Sequence, residues 1–244
     1  MVPVRVRLLG DRHTPVGLFE RLAGDGPAFL LESVEGGETW GRYSIIGLPC
    51  RRRYTVRGNT LLVTDNGRQV VEETVSNPLA RIAELQGEFR VPRLEELPLF
   101  SGGLVGYFGY DTVRYIEPRL ANTDKPDLIG TPDIMLMVSD ELVVFDNLAG
   151  TLLLVVHVDP SDGDAWAKGQ ARLDELASRL RTANSAYTQA GEADASQVEE
   201  TDFVSGFTRE GFESAVGRIK DYIVEGDAMQ VVLSQRMSIP YTAP

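Results

Sequence analysis

The chain has 244 residues, enough for one large domain or two modest ones with a real core at ~100 to 200 residues per domain. Its 24 basic and 36 acidic residues leave a formal charge of −12, the wrong sign for a protein that gains affinity by neutralising phosphates, so nucleic acid is excluded as a partner class. The single cysteine, Cys50, excludes an internal disulfide framework and a cysteine zinc cluster, and no apolar run reaches the length of a signal peptide or membrane span; a cytoplasmic globular protein is expected.

In chain order, Thr14 before Pro15 forms a cap and first-turn pair for a short helix with apolar Val16, Leu18, Phe19 and Leu22, closed at Gly24. PAFLLES reads as a buried strand ending in Glu32 and Ser33. From Tyr43 to Val75 four strand patterns follow (YSIIGL, YTVRG, NTLLVT, RQVVEETV), with Asn66-Gly67 the strongest hairpin signal. Asn77-Pro78 opens a second helix with Leu79, Ile82, Ala83 and Leu85 on its apolar side, and a loop punctuated by Pro92 and Pro98 leads to SGGLVGYFGYD.

After Pro132, the runs DIMLMVS, ELVVFD and TLLLVVHVD predict a meander of long antiparallel strands with turns at Ser139-Asp140 and Asn147 to Gly150. A helix from about Asp164 to Arg181 places Trp166, Leu173, Leu176, Ala177 and Leu180 at helical spacing. Residues 182–202 contain five acids and no Leu, Ile, Phe, Met or Trp, the composition of a solvated linker. Beyond it come a helix through Phe212, Ala215, Val216, Ile219, Tyr222 and Ile223, stopped at Gly226, and a strand from about Met229 to Met237. The chain ends one strand into what reads as a new domain, as a truncated protein would. Strand runs with inserted helices, without strict alternation, predict an antiparallel α+β fold.

Common catalytic signatures are missing: there is no Walker loop, G-x-S-x-G, H-E-x-x-H or C-x-x-C. His13 and His157 read as satisfied structural histidines, and Arg51, Arg52, Arg53 and Arg57 as a solvated strand face in preference to an anion site. The glycines Gly102, Gly103, Gly106 and Gly109 do not have the dinucleotide spacing and are better explained by close backbone approach in a strand. Two segments retain a chemical reading beside a bland one. Glu32 and Ser33 either receive an ammonium and a second polar group of a small ligand or merely open a polar loop. In AMQVVLSQRM, Gln230, Val232, Ser234 and Arg236 share one face, which lines a site on an inner strand and meets water on an edge.

Four segments in order, FLLESVEGGETWGRYSIIG, SGGLVGYFGYD, PDIMLMVSDELVVFDN and DYIVEGDAMQVVLSQRMSIPY, resemble the anthranilate synthase component I family of chorismate-utilising enzymes. The resemblance spans nearly the whole chain but only the N-terminal half of the family subunit. It implies an antiparallel β-sandwich with flanking helices, built as an N-terminal region over 1–181, an acidic linker over 182–204 and the start of a chorismate-binding domain over 205–244. The implied activity is conversion of chorismate and ammonia to anthranilate and pyruvate in tryptophan biosynthesis. The implied cofactor is Mg²⁺, its ligands beyond residue 244, and the implied partner is a glutamine amidotransferase subunit, anthranilate synthase component II, in a heteromer.

By the same resemblance Ser33, with Glu32 and Arg42, contacts L-tryptophan as feedback inhibitor. Gln230 takes the place where isochorismate- and salicylate-forming relatives carry a lysine base, which implies amination and not hydroxylation, since an amide accepts no proton at neutral pH. The chain alone is expected to be inactive. The alternatives are aminodeoxychorismate synthase component I and a non-catalytic tryptophan-binding module.

Overall fold

The computed structural model describes residues 1–32, 41–121, 127–181 and 198–240. The chain divides into two compact units, residues 1–185 and 186–244. Among the described residues the first contains two five-stranded antiparallel sheets, three α-helices and two short 3₁₀ helices. One sheet has the order β1 (Val2–Leu9), β10 (Thr151–Val158), β9 (Glu141–Asp146), β3 (Tyr43–Gly47), β2 (Phe29–Leu31). The other has the order β6 (Arg68–Thr74), β5 (Thr60–Asp65), β4 (Arg52–Arg57), β8 (Ile134–Ser139), β7 (Gly103–Phe108).

The apolar runs in β9 and β10 follow from burial on both faces of their sheet. Val143, Phe145, Leu152, Leu154 and Val156 pack with Leu18 and Leu22 of α1 (Pro15–Leu22) and Leu173, Leu176 and Leu180 of α3 (Ala165–Arg181). The alternate residues Leu142, Val144, Leu153 and Val155 turn to the opposite face and meet Leu97 and Phe100 of the proline-punctuated segment. In the second sheet Tyr54, Val56, Leu61, Val63, Ile134, Leu136 and Val138 cluster with Ile82 and Leu85 of α2 (Pro78–Gly87).

Local signals act as the sequence predicts. The Thr14 hydroxyl accepts from Gly17 N and the Asn77 side chain from Ala80 N, so both proline-led helices begin on a side-chain cap. Asn66 and Gly67 both have positive φ, 48° and 74°, the pattern of a type I′ hairpin turn. A Cβ at Gly106 would stand 1.9 Å from the Met135 carbonyl oxygen of the neighbouring strand, which accounts for the glycine-rich run as close backbone approach.

Four expectations change. β8 and β9 are not consecutive strands of a meander: Asp140 carries the chain from one sheet to the other, β8 pairing with β4 and β7 and β9 with β3 and β10. β2 is an edge strand with half-buried Phe29 and Leu30 and exposed Leu31, so its apolar run is not buried. Trp166 lies outside the apolar stripe of α3 and is exposed. In the second unit α4 (Arg209–Glu225) ends at Gly226 with φ 85° as foreseen, but the strand expected over 229–237 shrinks to β12 (Met237–Ser238), paired with β11 (Val204–Ser205). A strand needs a ladder partner, and among the described residues 229–236 have none. Most of the linker expected over 182–204 lies outside the described residues.

Candidate functional site

Of the expected site residues, the polar end of the first sheet holds Glu32 and Arg42. β3 begins and β9 ends in register, Tyr43 opposite Asp146, and Asp146 is opposite Thr151 of β10. Arg42, just before β3, donates to both carboxylate oxygens of Asp146, from Nε at 3.1 and 3.2 Å and from Nη2 at 2.7 Å, and its guanidinium lies 5.0 Å from the Tyr43 ring centroid. This two-pronged geometry fixes a planar cation more firmly than a single contact does.

The same carboxylate holds the turn that follows. Asp146 Oδ1 accepts from the backbone of Leu148 and Ala149 at 3.2 and 3.1 Å, and Asn147 Nδ2 donates to the Gly41 carbonyl at 3.1 Å and Ser44 Oγ at 3.3 Å. Hydrogen bonds from Arg42, first, and from the turn amides hold the Asp146 carboxyl below the usual carboxylate range, against the opposing effect of its burial.

Arg42, Tyr43 and Asp146 line a cleft of about 270 Å³, opposite Arg7 of β1 and Glu95 and Glu96 of the loop before β7. Glu96 is held by Arg5 at 3.0 Å. The cleft therefore carries guanidinium and carboxylate groups together, the donor and acceptor set that suits a zwitterion. Sequence reasoning missed Arg7, Glu95 and Glu96; only the folded sheet brings β1 and the loop to Arg42.

Glu32 is exposed at the end of β2, one residue past Leu31, whose partner is Ile45 of β3. It thus lies at the same end of the sheet as Arg42. Ser33 lies outside the described residues. Gln230 belongs to the other unit and is exposed in the segment after α4, beside fully exposed Met229. No group of three or more His, Cys, Asp or Glu side chains among the described residues could hold a metal ion, so the residues described do not fit Mg²⁺. No described helix is long and apolar enough to cross a membrane.

The cluster of arginines around β4 is mostly paired, Arg51 with Asp140 at 2.6 Å and Arg52 with Asp65 at 2.8 Å, in keeping with a strand face and not an anion site. His157 departs from its expected role. It is buried and Nδ1 contacts the Asp140 carbonyl at 3.1 Å, but Nε2 has no hydrogen-bond partner among the described residues.

Comparison with known proteins identifies the scaffold. Residues 29–244 match the family of chorismate binding enzymes. The chain belongs to that family. It is 50% identical over 242 residues to anthranilate synthase component 1 of Pseudomonas aeruginosa, covering 99% of this chain and 49% of the relative. It is 45% identical over 244 residues to the protein of the same name from Neisseria meningitidis serogroup B, covering 99% of this chain and 48% of the relative. The crystal structure of anthranilate synthase component I from Streptococcus pneumoniae superposes with a TM-score of 0.65 at 26% identity, covering 98% of this chain and 50% of that one. The chain spans about half the length of the curated relatives it matches. Membership supports the expected α+β class, which the antiparallel sheets and helices satisfy.

Proposed function

We propose that this chain is part of the chorismate-converting subunit of an anthranilate synthase in tryptophan biosynthesis. One chorismate and one ammonia give anthranilate, pyruvate and water: the amino nitrogen replaces the chorismate hydroxyl, which leaves as water, and pyruvate is then eliminated. The observation that carries this reading is 50% identity sustained over 99% of the chain with a relative of that name. In the whole protein the two sheets belong to an antiparallel sandwich, with the N-terminal region over 1–181, the linker over 182–204 and the chorismate-binding domain beginning at 205. The 244-residue chain alone is inactive in this account.

Gln230 is assigned to positioning the incoming ammonia. Neutral ammonia already has a nucleophilic lone pair, so it needs orientation and no base; a glutamine amide supplies hydrogen bonds and takes no proton. Ammonia comes from glutamine through an amidotransferase subunit, in a cytoplasmic heteromer. Mg²⁺, with ligands beyond residue 244, would supply positive charge to an anionic substrate when bound.

L-Tryptophan is the feedback inhibitor in this reading. Glu32 meets its ammonium, Ser33 hydrogen-bonds its polar end, and Arg42 faces it with a guanidinium already oriented by Asp146. Feedback requires tryptophan to bind an inactive arrangement more tightly than the active one, by a coupling of about 1 to 3 kcal/mol. Two substitutions in the full-length protein test the assignments. Gln230→Lys is expected to divert product toward hydroxylated species, and unchanged product at an unchanged rate removes Gln230 from the site. Ser33→Ala is expected to weaken tryptophan inhibition, and unchanged inhibition removes Ser33.

A further inference from the structure

The cleft beside Arg42 carries two charged side chains without partners. Of the charged groups around it, Arg42 and Asp146 bind each other and Glu96 binds Arg5. The remaining two, Arg7 and Glu95, form no ion pair or side-chain hydrogen bond with each other or with any other described residue. Both are exposed to solvent, so a ligand can reach them.

The register of the sheet shows what separates them. Arg5 and Arg7 point to the same face of β1, about 7 Å apart along the strand, and lie opposite Val155 and Leu153 of β10. Leu97 packs against the cluster that Leu153 and Val155 form on that face, and so fixes the segment that carries Glu95 and Glu96. At Arg5 this segment closes onto β1, with Nη2 3.0 Å from Glu96. At Arg7 the space between them is the cleft of about 270 Å³. Two unpaired charges of opposite sign that line one cleft without meeting leave room for a molecule that carries both signs.

We infer that this cleft binds an α-amino acid with an apolar side chain, its carboxylate on Arg7 and its ammonium on Glu95. A guanidinium receives a carboxylate through two parallel hydrogen bonds, and a carboxylate accepts readily from an ammonium. The ligand side chain lies against Tyr43, Leu97 and Pro98, which are all accessible from the cleft. The Tyr43 ring is held in place by the Arg42 guanidinium on its face. A cavity of about 150 Å³ holds a benzene ring, so this one accommodates an aromatic side chain with its headgroup. A ligand with a carboxylate alone leaves Glu95 unpaired beside a like charge, and one with an ammonium alone does the same to Arg7. The inference does not rest on the feedback reading: β2, which ends just before Glu32, is four strand positions from β1, about 19 Å by the spacing of strands, and Ser33 takes no part.

The test is calorimetric titration of the full-length protein with L-phenylalanine, L-phenylalaninamide, which lacks the carboxylate, and N-acetyl-L-phenylalanine, which lacks the ammonium. Saturable binding of L-phenylalanine is expected, with both derivatives at least about tenfold weaker, the size of one charge-assisted hydrogen bond. Arg7→Gln and Glu95→Gln are each expected to weaken L-phenylalanine by a similar factor with the far-ultraviolet circular dichroism unchanged. Ser33→Ala is expected to leave that affinity as it is. Four results overturn the inference: no saturation by L-phenylalanine; a derivative that binds as tightly as the free amino acid; affinity that survives Arg7→Gln or Glu95→Gln; or affinity lost in Ser33→Ala, which would place the amino acid at the other site. Should a charge variant fail to fold, the two derivatives decide the question on the parent protein.

Discussion

At the scale of single residues, Asp146 does two jobs with one carboxylate. It accepts the Arg42 guanidinium and caps the turn to β10. Asp146→Asn keeps the shape but removes the charge, so it is expected to release Arg42 while largely preserving the turn. In the full-length protein the account predicts weaker tryptophan inhibition with little change in uninhibited rate; inhibition curves of the two proteins check it, and superimposable curves contradict the orienting role given to Arg42. His157 supplies a pH dependence of opposite origin. Its folded pKa is below the unfolded value of about 6.5, so the unfolded state binds the extra proton. Stability is therefore complete above about pH 6.5 and falls as the pH drops from there toward the folded pKa. Urea midpoints at pH 7.5 and 5.5 are expected to differ in the parent protein and to differ less in His157→Gln, where His13, whose pKa burial also lowers, still contributes; an equal difference in both would contradict this assignment.

Residue types at this site were partly legible in the sequence. The motif LLES with GRYS marks the right end of two strands, because strand and motif are local. Arg42's partner was not legible, since Asp146 lies 104 positions away and is one acid among 36. Nor were Arg7 and Glu95, which reach the cleft only through the pairing of β1 with β10 and the path of the loop before β7. His157 could be read as buried from its apolar run, but that Nε2 finds no partner among the described residues could not, because it depends on long-range packing.

Among the secondary-structure elements, the ones set by short-range chemistry are those that sequence predicts. Asn77→Ala removes the acceptor for Ala80 N and is expected to destabilise the fold by about 1 kcal/mol, measurable as a lower urea midpoint with an unchanged slope. A change below a few tenths would show that α2 is held by Ile82 and Leu85 packing alone. Gly106→Ala is expected to be harsher, above about 1 kcal/mol, because its Cβ would collide with backbone in β8 and no side chain can move aside. Strand partners are a non-local choice. The runs DIMLMVS and ELVVFD look like two strands of a hairpin, yet the intervening Asp140 sends them to different sheets because β8 is claimed by β4 and β7, and β9 by β3 and β10. The segment 229–236 fails for the complementary reason: its alternation is strand-like, but no described strand offers it a ladder.

For the whole molecule, apolar side chains of the second unit bear on the behaviour of the chain in isolation. Val224, Met229 and Val232 are 87%, 99% and 80% exposed, a combination that favours association when nothing covers it. The 244-residue chain expressed alone is expected to aggregate; a monomer by light scattering that melts cooperatively would contradict this. The proposed reaction is tested most directly by giving the full-length protein chorismate and ammonium and quantifying anthranilate and pyruvate together. Equimolar anthranilate and pyruvate, suppressed by tryptophan, is the predicted result. An aminated product that retains its pyruvyl group, a hydroxylated product, or no turnover of chorismate would contradict it.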